Sequence, residues 1–362
     1  MAGKDHHFLP RMLLRKFAVP TGAPAAGLVW RGNLDRTLLR TVSPKNEAAK
    51  RHYYSMPPEI ETGAGMPVED LLQAIESGAS IAMIRFDRGD PLRPEDREWL
   101  ALFLALQQRR TPAGRRQLRF IDETVAKLEY EARLSDTAFV RRTLEEERGC
   151  SVSEAEVKEW QTETRAKLRD GDLVISSTPE REVGLMFVNI ETLVPMLLTE
   201  FDWCFLSIPS GVGEVVLPDG GVTLFDPTPT FPQSGTALAS SPNAETVLHF
   251  SPSLVLVLRP GDGHGVTREA DAVEVERLNL RAVASSDRCI YGSSEQLVAS
   301  VLAAAAADPE RIERLRPRPP VMWVTEGSGE PKSGPMTFTG ESLAGQFTQE
   351  LFVSAEAFER DA

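Results

Sequence analysis

The sequence contains few cysteines and no long uninterrupted run of apolar residues. Its three cysteines, Cys150, Cys204 and Cys289, lie far apart and form no Cys-x-x-Cys pair, which argues against a disulfide scaffold and a cysteine-based zinc site. No stretch reaches roughly 18 apolar residues, so no membrane-spanning helix is predicted. The first ten residues lack the apolar core of a signal peptide. We therefore expect a cytoplasmic protein with reduced, buried thiols.

Several motifs that carry a known catalytic mechanism are also missing. The glycine-rich stretch around His264 lacks the Lys-Ser/Thr pair of a phosphate-binding loop, and no dinucleotide fingerprint occurs. Neither the Gly-x-Ser-x-Gly motif of α/β-hydrolases nor the His-Glu-x-x-His motif of zinc proteases is present. The sequence therefore gives no support for membership of these enzyme classes.

Positive charge is in the minority. There are 40 Lys and Arg residues against 53 Asp and Glu residues, which gives a formal net charge of -13. Such a surface on average repels nucleic-acid phosphates and anionic membranes, so we expect no membrane partner and disfavour nucleic acid. Arg115, Arg116 and Arg119 form a local basic patch, but with almost no interleaved aromatic residues we expect a solvated helix face. The expected partner is a small ligand or another protein.

Helical and strand-like patterns occupy different halves of the chain. Apolar residues recur at helical spacing in the first half. The helices predicted there cover residues 67–86, 94–111, 115–147, 151–168 and 184–203. Short β-prone runs separated by Gly, Pro, Asp and Ser then predict strands. These cover residues 204–208, 213–217, 222–225, 246–250 and 254–258, and they are followed by helices over 273–286 and 294–307 with a strand at 289–291. An early hairpin is expected through Gly32-Asn33.

This order of elements predicts an α+β fold in which a mainly helical N-terminal half packs against a strand-rich C-terminal half. We divide the chain into a mainly helical region with an N-terminal His-His motif (1–202), a strand-rich α+β region (203–315) and a Pro/Gly-rich C-terminal segment (316–362). Whether the first two regions share one core is left open.

A histidine doublet, His6-His7, is the first candidate for a functional site. Adjacent imidazoles can act as metal ligands, bases or anion contacts, although a doublet near a chain end is about equally often solvated. Leu13, Leu14 and Phe17 follow closely and would pin the segment to a core. This context favours the functional interpretation.

Two further candidates lie far along the chain. Gln107 and Arg110 end a predicted helix just before Pro112, where an amide and a guanidinium can hold an anion or a carboxylate. The plainer alternative, which we favour, is that Arg110 pairs with a helix terminus or a buried acid. Asp226 ends a predicted strand, where an acid can bind a metal or act as a base, or simply form an Asx turn.

These features together resemble the domain of unknown function 4238 family, which is widespread in bacteria. The resemblance rests on His6-His7-x-x-Pro10, Leu14-Arg15-x-Phe17, Tyr54, the helix over 69–76 and Gln107-x-x-Arg110-Thr111-Pro112. Asp226 stands where the family carries a Ser-Asp-Asn-Pro motif, with the Ser and the Asn replaced here. The resemblance implies a grouping and no established activity.

The polar residues of these blocks are expected to share one cleft between the helical and stranded halves, because buried polar groups must be paired. They are His6, His7, Arg15, Gln107, Arg110 and Asp226. In the binding role we place Arg15, Gln107 and Arg110.

Two functions from different classes are compatible with such a cleft. As a hydrolase or phosphoryl-handling enzyme, the protein would use His6 or His7 as base or metal ligand, Asp226 as ligand or acid partner, and Arg110 as an oxyanion or phosphate contact. Two histidines and one carboxylate would suit Zn²⁺, Mn²⁺ or Fe²⁺. As a non-catalytic protein that recognises a peptide or small ligand, it would use the same cluster as a clasp for its N-terminus.

Overall fold

The protein has an α+β fold, seen in a computed structural model that describes residues 5–23, 25–55, 67–188, 190–225 and 243–316, and only the backbone of 337–339 and 348–350. The helices are α1 Arg11–Lys16, α2 Val68–Asp87, α3 Pro94–Arg110, α4 Pro112–Ser135, α5 Thr137–Arg148, α6 Glu154–Asp170, α7 Pro179–Leu185, α8 Ile190–Thr199, α9 Ala272–Ser285, α10 Glu295–Ala307 and α11 Pro309–Leu315. The strands are β1 Asp5–His7, β2 Val29–Asn33, β3 Leu39–Val42, β4 Ala49–Arg51, β5 Phe201–Ser207, β6 Leu217–Pro218, β7 Val222–Phe225, β8 Glu245–Ser251, β9 Leu254–Pro260, β10 Gly265–Glu269, β11 Cys289–Gly292, β12 Thr337–Thr339 and β13 Thr348–Glu350. The predicted fold class is confirmed.

Residue contacts divide the chain into two compact units. Unit 1 consists of Met1–Arg115 and Val183–Arg318, and unit 2 of Arg116–Glu182 and Pro319–Ala362. Unit 1 thus contains residues from both sides of the boundary that we predict at residue 202, so helices and strands share one compact unit. Most of the predicted Pro/Gly-rich segment 316–362 lies outside the described residues. The part of it that is described includes β12 and β13, which pair antiparallel.

Unit 1 is built on two larger sheets and one short pair of strands. The five-stranded sheet has the order β10-β5-β9-β8-β7, in which only β10 runs parallel to its neighbour β5. The four-stranded sheet has the order β3-β2-β11-β6 and is antiparallel throughout. β8 and β9 are buried over most of their length, which fits central strands covered on both faces.

Apolar burial fixes both the N-terminal segment and the last helices of unit 1. Leu13 and Leu14 of α1 are fully buried, as is Phe17 just after it. α9, α10 and α11 pack with the four-stranded sheet through a cluster that includes Ile290 and Val298. The predicted pinning of the segment that follows the histidine doublet is therefore observed.

Unit 2 contains a helix break that the sequence pattern did not predict. The expected single helix over 115–147 is two helices, α4 and α5. The reason is Asp136, whose carboxylate accepts hydrogen bonds from the amides of Ala138 and Phe139 and so caps α5. α6 begins with a capping box, which Ser153 and Glu156 form.

The predicted apolar helix over 184–203 was too long. The helical part ends at Thr199 with α8, which contains Pro195, and the chain enters β5 at Phe201. By length and composition alone, the stretch Pro179–Thr199 could cross a membrane. Its α8 part packs against α3, and the Leu197 carbonyl accepts a 2.8 Å hydrogen bond from the Trp203 indole.

Three smaller predictions also need correction. The early hairpin turns at 34–38, because Gly32-Asn33 belongs to β2, paired with β3. β10 was not predicted, since the glycines before it suggest a loop and every one of its residues is exposed. The cysteines are free, but only Cys289 is buried, whereas Cys150 is exposed.

Gly78 lies in the middle of α2, where glycine costs about 1 kcal/mol of helix stability relative to alanine. The structure supplies the compensation. A Cβ atom at this position would come within 2.3 Å of Cδ2 of Trp99 on α3, so glycine allows the close packing of the two helices.

We predict that Gly78→Ala lowers the free energy of unfolding by roughly 1–3 kcal/mol, because overpacking against the indole outweighs the gain in helix propensity. Urea denaturation measures the change. In a Trp99→Ala background the same substitution should become neutral or stabilising. Stabilisation in both backgrounds would show that close packing is not the reason for the glycine.

His249 is a fully buried histidine in β8. Within the described part of the chain, neither ring nitrogen forms a hydrogen bond of good geometry, and the Val216 backbone is a weak polar contact. Burial lowers the pKa of His249 to about 4, and the nearby Val216 backbone offsets only part of this effect. The folded protein therefore holds this ring neutral.

We predict a loss of stability in acid that depends on His249. The folded pKa lies below the unfolded value of 6.5, so the unfolded state binds the proton first, and stability is full above pH 6.5 and falls toward pH 4. The expected loss is about 3 kcal/mol. His249→Phe should remove this part of the pH dependence in denaturation series, whereas His264→Gln should keep it. Equal slopes in all three proteins would contradict the assignment.

Candidate functional site

The histidine doublet lies in β1, which pairs antiparallel with β4. His6 lies opposite Lys50 and His7 opposite Ala49. Successive side chains of a strand point to opposite faces, so the two adjacent imidazoles enter different environments. His6 is buried and His7 is half-buried.

Both ring nitrogens of His6 take part in polar contacts within the protein. Nδ1 accepts a 2.8 Å hydrogen bond from the Tyr54 amide, and Nε2 lies 3.1 Å from a carboxylate oxygen of Glu69. An amide can only donate, so Nδ1 is unprotonated and the ring proton is on Nε2, facing Glu69. The ring also stacks on Tyr54 at 5.6 Å between centroids. His6 thus holds the fold and cannot act as base or metal ligand without breaking one of these contacts.

His7 has the opposite tautomer and a free acceptor. Its Nδ1 lies 3.0 Å from the Glu47 carbonyl oxygen, which only accepts, so the proton of the neutral ring is on Nδ1. Burial lowers the pKa of His7; the Glu47 hydrogen bond opposes this, and Arg11 and Arg110 add to it. Nε2 therefore offers a lone pair at neutral pH, with no hydrogen-bond partner among the residues described.

Arg110 is the last residue of α3 and is only 2% exposed. Its Nε donates to Oε1 of Gln107 and its Nη1 to Oε1 of Glu76, both at 2.7 Å. Its Nη2 is buried and has no partner in the described part of the chain. A buried donor without a partner costs about 1–3 kcal/mol, so this atom calls for an acceptor such as a water or ligand oxygen.

Gln107 and Tyr54 join the segments that carry these groups. The amide nitrogen of Gln107 donates to the Phe8 carbonyl at 3.1 Å and to the Gly220 carbonyl at 3.0 Å. The Tyr54 hydroxyl lies 3.4 Å from the carbonyl oxygens of both His7 and Arg110. β1, the end of α3 and the turn before β7 are thereby fixed next to one another.

The turn before β7 approaches this network through a glycine. Gly221 has a φ of +74°, and a Cβ atom there would come within 2.8 Å of Leu9 and 3.3 Å of the Gln107 amide nitrogen. Only glycine fits this conformation and this space without displacing its neighbours.

The structure brings together four of the six residues predicted for the site, His6, His7, Gln107 and Arg110. Arg15 is exposed on α1 and, within the described ranges, forms no hydrogen bond or ion pair with them. Asp226 lies outside the described residues, so its predicted role stays a prediction. Arg115, expected on a solvated face, is instead buried and donates a 2.7 Å hydrogen bond to the Tyr53 carbonyl.

The predicted metal set of His6, His7 and Asp226 does not fit as a whole, because both nitrogens of His6 are already in use. Among the residues with described positions, no group of three or more His, Cys, Asp or Glu side chains could hold a metal ion. An apolar pocket of about 240 Å³ lies elsewhere in unit 1, between Leu34, Leu302 and Ile312, and contains none of the predicted site residues.

Sequence reasoning missed the acids that complete the cluster. Glu69 and Glu76 are seven residues apart, two helical turns, and this spacing on α2 could have assigned both to one face directed at the basic groups. Glu47 contacts His7 through its backbone carbonyl, and a backbone contact cannot be predicted from the type of side chain.

We predict that Gln107→Leu lowers the free energy of unfolding by roughly 2–4 kcal/mol, because it leaves two carbonyl oxygens and the Nε of Arg110 unpaired. Gln73→Leu, at an exposed position of α2, is the matched control and should change stability by less than about 0.5 kcal/mol. Urea denaturation of both variants provides the comparison. Equal stability of the two variants would contradict a supporting role for Gln107.

A comparison with protein-family models places the chain in a family. The model described as "Protein of unknown function (DUF4238)" matches residues 5–296, a range that includes β1, the end of α3 and the turn before β7. No curated protein and no solved structure matches the chain. The groups on which the resemblance rests, the histidine doublet and the Gln-Arg end of α3, are also the groups that form the buried cluster. The chain belongs to the DUF4238 family.

Proposed function

We propose that the protein is a hydrolase or phosphoryl-handling enzyme whose reacting centre lies at His7 and Arg110. One observation carries the proposal. In a cluster where His6, Gln107 and Tyr54 have hydrogen-bond partners, the buried donor Nη2 of Arg110 has none among the residues described. The His7 ring uses its Nδ1 there, for Glu47, which leaves Nε2 as an acceptor. The charge of Arg110 acts on His7, which indicates that the two groups are close to each other. A base and a cationic donor are the pair that addition of water to an electrophilic centre requires.

His7 would be the general base. The Glu47 carbonyl holds the ring with its proton on Nδ1, so the lone pair of Nε2 can accept a proton from a water molecule. Because the pKa of His7 is lowered from 6.5, the ring is neutral and ready to act at pH 7.

Arg110 would bind the oxygen on which negative charge develops. Gln107 and Glu76 hold its guanidinium on two sides, so Nη2 needs no reorganisation when the charge appears. A donor that is fixed in advance and shielded from water stabilises such charge more than a solvated one.

The remaining predicted residues keep subordinate parts in this proposal. His6 serves as support for β1, and Asp226 stays the expected acid partner or ligand. If a divalent metal takes part, Nε2 of His7 is the ligand that the doublet offers. The proposed setting is the cytoplasm, and the proposed partner is a small substrate.

A non-catalytic binding protein is the second candidate, and the contacts of Gln107 favour it. The amide nitrogen of that side chain donates hydrogen bonds to the carbonyls of Phe8 and Gly220 and so ties both segments to α3. A clasp of this kind would order the N-terminal segment for a peptide or small-ligand partner without any chemistry at His7.

We predict that His7→Gln lowers turnover of p-nitrophenyl acetate or p-nitrophenyl phosphate by about 10²–10⁴-fold with little change in stability. His264→Gln, a substitution of an exposed histidine, is the control and should leave the rate unchanged. Protonation of His7 removes the base, so the wild-type rate should rise with pH and reach a plateau above the pKa of His7. That pKa lies below 6.5.

Three results would count against the enzyme. They are no turnover of either ester by the wild type, equal rates in both variants, or a rate that falls as pH rises through this range. A loss of stability in His7→Gln without any effect on turnover would favour the clasp.

A further inference from the structure

We propose that Glu47, clamped by Tyr291 and Arg31, is a positioning residue that fixes the tautomer of His7 and so keeps the lone pair on Nε2. This inference deepens the proposed function, because a general base needs its free nitrogen on the reacting side. It assigns a role to residues of the four-stranded sheet, which neither the sequence nor the family match singles out.

The backbone between Glu47 and Ala48 directs the Glu47 carbonyl at His7. Ala48 has a φ of +51°, in the left-handed region that residues other than glycine rarely adopt. This torsion turns the Glu47–Ala48 peptide so that the Glu47 carbonyl meets Nδ1 of His7, while the Ala48 carbonyl accepts a 2.9 Å hydrogen bond from the Phe8 amide. Strain of this kind persists only where the surroundings enforce it.

The clamp acts on the Glu47 side chain. Its Oε2 accepts a hydrogen bond from the Tyr291 hydroxyl and one from Nη1 of Arg31, both at 3.2 Å. Tyr291 and Arg31 lie directly opposite each other on β11 and β2, so their side chains share one face of the sheet. Glu47 is therefore held at both ends, by the sheet at its carboxylate and by His7 at its carbonyl.

The Tyr291 hydroxyl stays protonated and so remains a hydrogen-bond donor to Glu47. Tyr291 is 2% exposed, and burial raises its pKa well above 10, so the hydroxyl keeps its proton at neutral pH. Cys289, its neighbour on the same face of β11, is held as a neutral thiol because burial raises its pKa to about 12. At the clamp itself, the carboxylate of Glu47 and the guanidinium of Arg31 compensate each other. The carboxyl group of Asp219, whose own pKa is raised by burial, adds to the rise in the pKa of Tyr291.

The tautomer of His7 is directly measurable by ¹⁵N NMR of the ring nitrogens in the intact protein at about pH 8, above the ordinary histidine pKa. We expect the wild-type ring to bear its proton on Nδ1. Glu47→Ala keeps the backbone carbonyl but loses the clamp, and should raise the fraction of rings protonated on Nε2 at least about tenfold. Glu47→Gln still offers an oxygen to Tyr291 and Arg31 and should largely restore the wild-type tautomer.

Tyr291→Phe provides a second variant with a smaller change, since it removes only the hydroxyl, and it should move the tautomer in the same direction. Tyr130→Phe, which removes a hydroxyl in unit 2, is the control and should not. An unchanged His7 tautomer in both Glu47→Ala and Tyr291→Phe would overturn the inference, and so would a wild-type ring protonated on Nε2.

This measurement does not depend on turnover. A tautomer that responds to the clamp in a protein without esterase or phosphatase activity would leave the inference standing and remove the proposed function. Turnover of the esters without any response of the His7 tautomer would leave the proposed function standing and overturn the inference about Glu47.

Discussion

The arrangement depends on one constraint, which is that the last turn of α3 is both polar and buried. Gln107 is fully buried and Arg110 nearly so, although helix ends usually lie at the surface where water satisfies their groups. Their hydrogen-bonding atoms need partners inside the protein. The amide of Gln107 finds them in two backbone carbonyls from distant segments, and those bonds bring β1 and the turn before β7 to the helix end.

Within this framework, the strand geometry of β1 gives two identical side chains different roles. Because neighbouring residues of a strand face opposite sides, His6 enters the interior and His7 the edge of the cluster. His6 meets a backbone donor and a carboxylate, which use both of its nitrogens. His7 meets one backbone acceptor, which fixes one nitrogen and leaves the other open. A doublet in a helix would have placed both rings about 100° apart on one surface and would not have separated them in this way.

Much of the site could be predicted from residues whose environment follows from side-chain chemistry. The apolar positions of α1 indicate that the doublet is pinned, and the proline after Arg110 indicates the end of α3, which the structure places at Arg110. The separation of the two histidines could not be predicted, because a three-residue strand is too short to show a period of two. α1 places Leu13 and Leu14 in the core, and Arg15, next along the helix, is directed outward. The Glu47 carbonyl belongs to the backbone, and a backbone group leaves no trace in the residue pattern.

The net charge of the chain also misleads about the cluster. At -13 the protein as a whole repels anions, yet Arg11 and Arg110 lie close enough to His7 to help lower its pKa. Exposed charges more than about 8–10 Å away are largely screened at physiological ionic strength, so the distant acids contribute little there. Glu76 balances part of the positive charge and also holds the guanidinium in place. The proposed role of Nη2 of Arg110, to bind an oxygen on which negative charge develops, therefore depends on this local field and not on the net charge of the protein.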